Sequence, residues 1–147
     1  MDDLIAFLRA RLDDDERIAQ QARGAEWHGG CPQAIEHDEC GCWIVENRPA
    51  TGRVIVVGGE SGGVLEAADA QHMIQQDPKR VLADVAAKRE IIEAHPSGRD
   101  HHEGQDYCLE CGPSWNGNQP RGYPCTTIRL LALPYAGHPD YQESWKP

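Results

Sequence analysis

The chain has 147 residues, which is enough for one domain with a single hydrophobic core and too few for two independent domains. Its 24 acidic residues outnumber its 14 basic residues, and the formal charge of -10 argues against non-specific binding to nucleic acids. The first residues are acidic where a signal peptide needs positive charge, and no apolar run approaches membrane-spanning length, so we expect a soluble cytoplasmic protein without membrane contact.

Apolar residues recur every three or four positions near the start of the chain, which predicts a helix over residues 2–23. Residues 25–41 combine glycine, proline, cysteine and histidine without a clear period, and we expect a loop there. Two β-rich runs, Cys42–Val45 and Arg53–Val57, flank a polar segment and predict a two-stranded hairpin over residues 42–57.

The second half of the chain is predicted to begin with helical residues 64–95. A new helix starts within this stretch at Asp77-Pro78, because aspartate favours the capping position and proline the first helical position. Residues 96–125 are polar and rich in glycine and proline, so they need something to order them. A short third helix and an aromatic tail that folds back onto the helices follow over residues 126–147.

Cysteine and histidine residues at the borders of this polar segment have the spacing of a zinc site. Cys108 and Cys111 are separated by two residues, so one tight turn can direct both thiolates to a single ion. Cys125 comes just before a predicted helix, and His95 ends the preceding one. We therefore predict that these four residues bind Zn²⁺. Two other histidines could replace the fourth ligand: His101 and His102.

A zinc ion with four protein ligands has no open position, so the predicted site is structural rather than catalytic. Such an ion would supply the ordering that residues 96–125 lack. We predict one mainly helical α+β domain over residues 1–147, with two long antiparallel helices, a short third helix, a small β-hairpin and a zinc-clipped carboxyl-terminal segment.

Further possible metal ligands lie within twelve residues of one another at an irregular spacing: Cys31, His37, Cys40 and Cys42. A turn could collect all of them around a second zinc ion. Alternatively, Cys40 and Cys42 could join Cys108 and Cys111 in a single site, which would leave Cys125 as a core residue. The spacing alone does not decide between these arrangements.

A glycine-rich segment, Gly59-Glu-Ser-Gly-Gly63, matches the nucleophile-elbow pattern of serine hydrolases and lies between a predicted strand and a predicted helix. Ser61 would be the nucleophile of a small hydrolase. Two predicted strands are few for that fold, however, and Ser61 as a helix cap explains the same residues. The histidines that could act as its base are His72, His95 and His138. A further alternative is specific nucleic-acid binding through the zinc loop.

Five segments carry a family resemblance: Asp2–Leu12, Asp77–His95, Tyr107–Cys111, Tyr123–Tyr141 and Trp145–Pro147. They resemble a small uncharacterised family of actinobacterial and actinophage proteins. The resemblance implies a phage or mobile-element setting and no particular activity. Together with the predicted zinc site, it favours a non-catalytic, zinc-stabilised accessory or regulatory module that binds another protein.

Overall fold

The computed structural model describes residues 3–22, 25–29, 43–46, 54–57, 67–99, 104, 106–112 and 122–147. These residues form two compact units. The first unit comprises Met1–Asp14 with Val85–Pro147, and the second comprises Asp15–Asp84. The prediction of a single domain stays a prediction, and each unit is described by itself. Among the described helices, none has the length and apolar character that crossing a bilayer requires.

The first long helix, α1, extends over Asp3–Gln21 and confirms the helix predicted near the start of the chain. Its apolar stripe explains the burial of Leu4, Leu8 and Leu12 in the first unit. These three leucines are four residues apart, so their side chains lie on one face and contribute to one core.

Two further helices occupy the predicted region: α2 over Ala67–Gln75 and α3 over Pro78–Ala94. The predicted cap of α3 is present, since the Arg80 backbone N–H donates to Oδ1 of Asp77 at 2.8 Å. Proline fits the first helical position because no intrahelical acceptor is available there for a backbone N–H.

The helices α1 and α3 run antiparallel in the first unit, as predicted. Arg89 near the middle of α3 pairs with Asp13 of α1 at 2.6 Å. One turn further along α3, Ile92 lines a groove together with Ile5 and Arg9, which precede Asp13. Contacts that move toward the carboxyl end of α3 thus move toward the amino end of α1, so the two helices run antiparallel.

The carboxyl-terminal part of the first unit consists of α4 over Thr126–Ala132 and two short 3₁₀ helices, Leu133–Tyr135 and Glu143–Trp145. The tail folds back as predicted, since the rings of Trp145 and Phe7 lie 5.0 Å apart between centroids. Residue 126 is already helical, and the preceding cysteine occupies the capping position of α4.

A three-stranded antiparallel sheet lies in the second unit, with strands β1 (Trp27–Gly29), β2 (Trp43–Glu46) and β3 (Val54–Val57). The pairing of β2 with β3 confirms the predicted hairpin. The prediction of a loop over residues 25–41 is wrong at β1, which pairs with β2. A three-residue strand is too short to show alternation in the sequence, and its hydrogen-bonding partner is remote.

A second hairpin lies in the first unit, where β4 (Ser97–Arg99) pairs with β5 (Asp106–Cys108). The sequence predicted only a polar metal loop over residues 96–125. The sequence did not predict this hairpin because both strands are three residues long and contain polar or glycine residues of low β propensity. Its pairing has a direct effect on the candidate site.

Candidate metal centre

The four predicted ligands lie together in the first unit. One ligand atom from each of His95, Cys108, Cys111 and Cys125 lies within 4.8 Å of the others. The three sulfur atoms surround Nδ1 of His95, at distances of 3.4 Å from Cys108, 3.5 Å from Cys111 and 3.6 Å from Cys125. The near equality of these distances describes a nitrogen atom that faces a triangle of sulfur atoms.

This arrangement fits a tetrahedral zinc ion. Bonds of about 2.3 Å to sulfur and about 2.0–2.1 Å to nitrogen, at tetrahedral angles, separate the two ligand atoms by about 3.5 Å. The observed separations of 3.4, 3.5 and 3.6 Å agree with that value. Three soft thiolates and one imidazole are also a donor set that zinc prefers. The residues present therefore fit a zinc ion.

The hairpin formed by β4 and β5 brings two of the ligands together. Ser97 is the register partner of Cys108, and the Leu109 backbone N–H donates to the Pro96 carbonyl at 2.9 Å. His95 comes directly before Pro96, so this pairing holds the end of α3 against the end of β5. The pairing therefore explains how His95 comes to lie beside Cys108.

A tight turn after β5 directs the third ligand to the same point. The Gly112 backbone N–H donates to the Cys108 carbonyl at 3.0 Å and closes the turn that contains Cys111. Gly112 has a φ angle of +66°, in the left-handed region that side chains with a Cβ atom disfavour. The spacing of Cys108 and Cys111 thus corresponds to a closed turn.

Cys125 reaches the cluster because the two residues Gly122 and Tyr123 pair with β5, which also pairs with β4. Gly122 forms a β-bridge with Tyr107, and the Tyr123 backbone N–H donates to the Asp106 carbonyl at 3.0 Å. Cys125 then begins the first turn of α4, where the Arg129 N–H donates to its carbonyl at 3.0 Å.

Arg129 supports this segment, although no sequence pattern marks it. Its Nε donates to the Pro124 carbonyl at 2.9 Å, and Nη1 donates to the carbonyls of Ser144 and Lys146 at 3.1 and 3.2 Å. One guanidinium therefore joins the residue before Cys125 to the carboxyl-terminal 3₁₀ helix. An arginine in a short helix carries no sequence signal that distinguishes this role from an exposed position.

The environments of the three thiols differ. Cys108 and Cys125 are 0% and 1% exposed, whereas Cys111 is exposed. Loss of hydration at its sulfur and the adjacent sulfur atoms of Cys108 and Cys125 raise the pKa of Cys111 to about 12. Burial also acts to raise the pKa of Cys125, but hydrogen bonds from the Ile128 N–H and from the other thiols outweigh burial and lower it. Without a cation, the cluster therefore does not hold three thiolates at neutral pH.

Several sequence predictions fall outside the described residues. They concern His101 and His102, the alternative ligands, and the second cluster of Cys31, His37, Cys40 and Cys42. Ser61 and the surrounding glycines also lie outside them, so the nucleophile-elbow pattern stays a sequence observation. The arrangement that would leave Cys125 as a core residue is not the one observed, because Cys125 lies in the cluster.

Comparison with known proteins places the chain in a family. A family model described as a family of unknown function, DUF6221, matches residues 1–147, and the chain therefore belongs to that family. The family resemblance seen in the sequence is confirmed, whereas the actinobacterial and phage setting stays a prediction. Searches of curated proteins and of solved structures found no match.

Proposed function

We propose a role for this chain, which belongs to the DUF6221 family of unknown function, from the geometry of its own residues. The role is that of a non-catalytic accessory or regulatory module, stabilised by one structural zinc ion, that binds another protein. The observation that carries the zinc part is the set of sulfur–nitrogen distances of 3.4, 3.5 and 3.6 Å around Nδ1 of His95.

A structural role for the ion follows from the number of ligands. Three cysteines and one histidine complete a tetrahedron, so no position is left for a water molecule or substrate. The ligands also come from four separate points of the fold: the end of α3, the end of β5, the following turn and the start of α4. An ion bound there joins segments that have few apolar side chains of their own, and its binding energy becomes folding energy.

Exposed apolar side chains in the first unit support a protein partner. Leu109, beside the metal cluster, is 53% exposed, and Leu130 on α4 is 51% exposed. Leu133 is also exposed and follows Leu130 by three residues, a spacing that places both on one side of the chain. Apolar contacts of this kind suit a protein surface better than a charged polymer or a small polar ligand.

Nucleic-acid binding, the alternative function, gains no support from the basic residues of α3. Lys79 forms an ion pair with Glu26, and Arg89 forms one with Asp13 at 2.6 Å. Lys88 lies over the Tyr135 ring, 5.9 Å from its centroid. These cations already have partners within the chain, and the formal charge of -10 opposes an approaching phosphate backbone.

Elemental analysis of the purified protein tests the zinc proposal. We expect one zinc ion at this cluster per chain, and loss of that ion when Cys108 is replaced by serine. Glu110→Gln is the matched control, because Glu110 lies in the same turn, is exposed and is not one of the four cluster residues. Protein that contains no zinc or other metal after purification in the absence of chelators would refute the proposal.

Cross-linking followed by mass spectrometry in the source cells tests the partner proposal. We expect one protein to be cross-linked to residues near Leu109 or Leu130, and we expect Leu130→Asp to abolish the cross-link without loss of zinc. Two other readouts would point to a different function. Labelling of Ser61 by a fluorophosphonate would indicate a serine hydrolase, and salt-sensitive retention on DNA would indicate a nucleic-acid-binding module.

A further inference from the structure

We propose that the zinc centre is redox-sensitive, and that peroxide-type oxidants open it by forming a disulfide bond between Cys111 and Cys108. This inference rests on the proposed zinc binding and adds regulation to the same site. The observations that carry it are the unequal exposure of the three cysteines and the turn that joins two of them.

Unequal exposure selects the residue that reacts first. Oxidation of a cysteine by peroxide follows its thiolate character and its access to solvent. Zinc binding requires all three sulfur atoms to be thiolates, so access decides among them. Cys108 and Cys125 are 0% and 1% exposed, whereas Cys111 is exposed. A small oxidant in water therefore meets Cys111 first.

The turn selects the second cysteine. Cys108 and Cys111 belong to one turn, which the hydrogen bond from the Gly112 N–H to the Cys108 carbonyl closes at 3.0 Å. Their sulfur atoms lie within 4.8 Å of each other. The Cys125 sulfur also lies within 4.8 Å, but Cys125 caps α4 and belongs to a separate segment of the fold. Rotation within the turn therefore brings Cys108 to Cys111 with less rearrangement of the backbone.

The chemistry has two steps and consumes one peroxide. In the first step the Cys111 thiolate attacks one peroxide oxygen, the O–O bond breaks, an S–O bond forms, and hydroxide leaves. In the second step the Cys108 thiolate attacks that sulfur, an S–S bond forms, the S–O bond breaks, and a second hydroxide leaves. Two protons from solvent convert both hydroxides to water. The two sulfur atoms together lose two electrons, and the peroxide gains them.

The consequence is loss of the ion. After oxidation His95 and Cys125 are the remaining ligands of the cluster, and two ligands cannot complete the tetrahedron that zinc requires. The ion leaves, and the connection between the end of α3 and the start of α4 is lost. Thiol reductants reverse the disulfide and restore the site. The exposed Leu109 lies between the two reacting cysteines, so oxidation also alters the surface proposed to bind a partner.

Zinc release from the metal-loaded full-length protein tests this inference. Hydrogen peroxide is added, released zinc is followed with a chromogenic chelator, and the protein is then digested with trypsin without reduction. Cys108 and Cys111 lie in one tryptic peptide, residues 100–121, whereas Cys125 lies in residues 122–129. We expect release of one zinc and loss of two hydrogen masses from the peptide of residues 100–121. Reduction with dithiothreitol and added zinc should restore the metal content.

The matched variant is Cys111→His, which keeps a possible zinc ligand and removes the thiol that reacts. Its zinc content is measured first, and the rates are compared for the fraction that is bound. We expect its release by peroxide to be slower by about tenfold or more. Equal rates for both proteins, or a peptide of residues 100–121 cross-linked to residues 122–129, would overturn the inference. The mapping in the unaltered protein decides the matter even if the variant fails to bind zinc.

Failure of the inference and failure of the proposed function give different results. Protein that contains zinc and retains it under peroxide refutes only the redox step. Protein that contains no zinc at the start refutes the proposed function and with it the redox step.

Discussion

At the scale of single residues, the three cysteines of the metal centre differ in their burial and in their surroundings. Cys108 and Cys125 are buried, and their surroundings are set by β5 and by the first turn of α4. Cys111 lies on an exposed turn, and its pKa is raised to about 12 by loss of hydration and by the adjacent sulfur atoms. A cation is the one addition that stabilises three thiolates so close together.

The raised pKa of Cys111 predicts a pH dependence of zinc binding. In the metal-free protein Cys111 keeps its proton up to a pH near 12, and it must lose that proton to bind zinc. Zinc binding therefore releases at least one proton, and the apparent affinity should rise by at least about tenfold for each pH unit between about pH 7 and pH 9. Competition with a chelator of known protonation checks this. An affinity that does not change with pH would contradict it.

The positive φ angle of Gly112 predicts a cost for any side chain there. Gly112→Ala should lower the free energy of unfolding of the zinc-loaded protein by about 1 kcal/mol, because a Cβ atom disfavours the left-handed conformation. Urea denaturation of both proteins measures the difference. Gly137→Ala is the control, since Gly137 has open space around its Cβ position and no positive φ angle. A similar loss at both positions would show that backbone conformation is not the cause.

At the scale of elements, local signals identify the helices, and remote pairings determine the site. The period of apolar residues predicts α1, and Asp77-Pro78 predicts the start of α3, because each signal lies within the element itself. The strands β4 and β5 have no comparable signal. Their pairing brings His95 to Cys108. Because this pairing has no signal in the sequence, the sequence suggested His95 as the fourth ligand but left two other histidines as alternatives. The spacing of Cys108 and Cys111 could be interpreted because it belongs to one turn.

The cap of α3 predicts a measurable effect on stability. Asp77→Ala removes the acceptor of the Arg80 N–H and should lower the free energy of unfolding by about 1 kcal/mol. Asp77→Asn keeps an acceptor oxygen in the same place and should have an effect of about a few tenths of a kcal/mol at most. Thermal denaturation of the zinc-loaded proteins distinguishes the two variants. Equal losses for both would attribute the effect to the charge of Asp77 rather than to its hydrogen bond.

At the scale of the whole molecule, the first unit combines both ends of the chain. Its apolar core includes Leu4 and Leu8 of α1 and Ile128 of α4, all of them fully buried. The metal cluster lies in the same unit and joins segments from residues 95 to 125. The ion and the core should therefore stabilise one cooperative structure.

Removal of the ion should destabilise the first unit. Treatment with a strong chelator should lower the midpoint of thermal unfolding by at least about 10 °C, because metal binding stabilises the folded state by mass action. Hydrogen exchange should accelerate most in β4, β5 and the first turn of α4, which carry or adjoin the ligands. Addition of zinc should reverse both changes. Unchanged exchange in these segments would show that they are ordered without metal.

The contact between Phe7 and Trp145 has a consequence for how the protein is made. These rings lie 5.0 Å apart, yet the ribosome adds Trp145 more than a hundred residues after Phe7. At translation rates of about 5–20 residues per second, α1 is synthesised several seconds before the carboxyl-terminal residues that pack on Phe7. Throughout that interval the nascent chain presents Phe7 without the aromatic residues that pack on it, and a chaperone that shields this helix would have its greatest effect then.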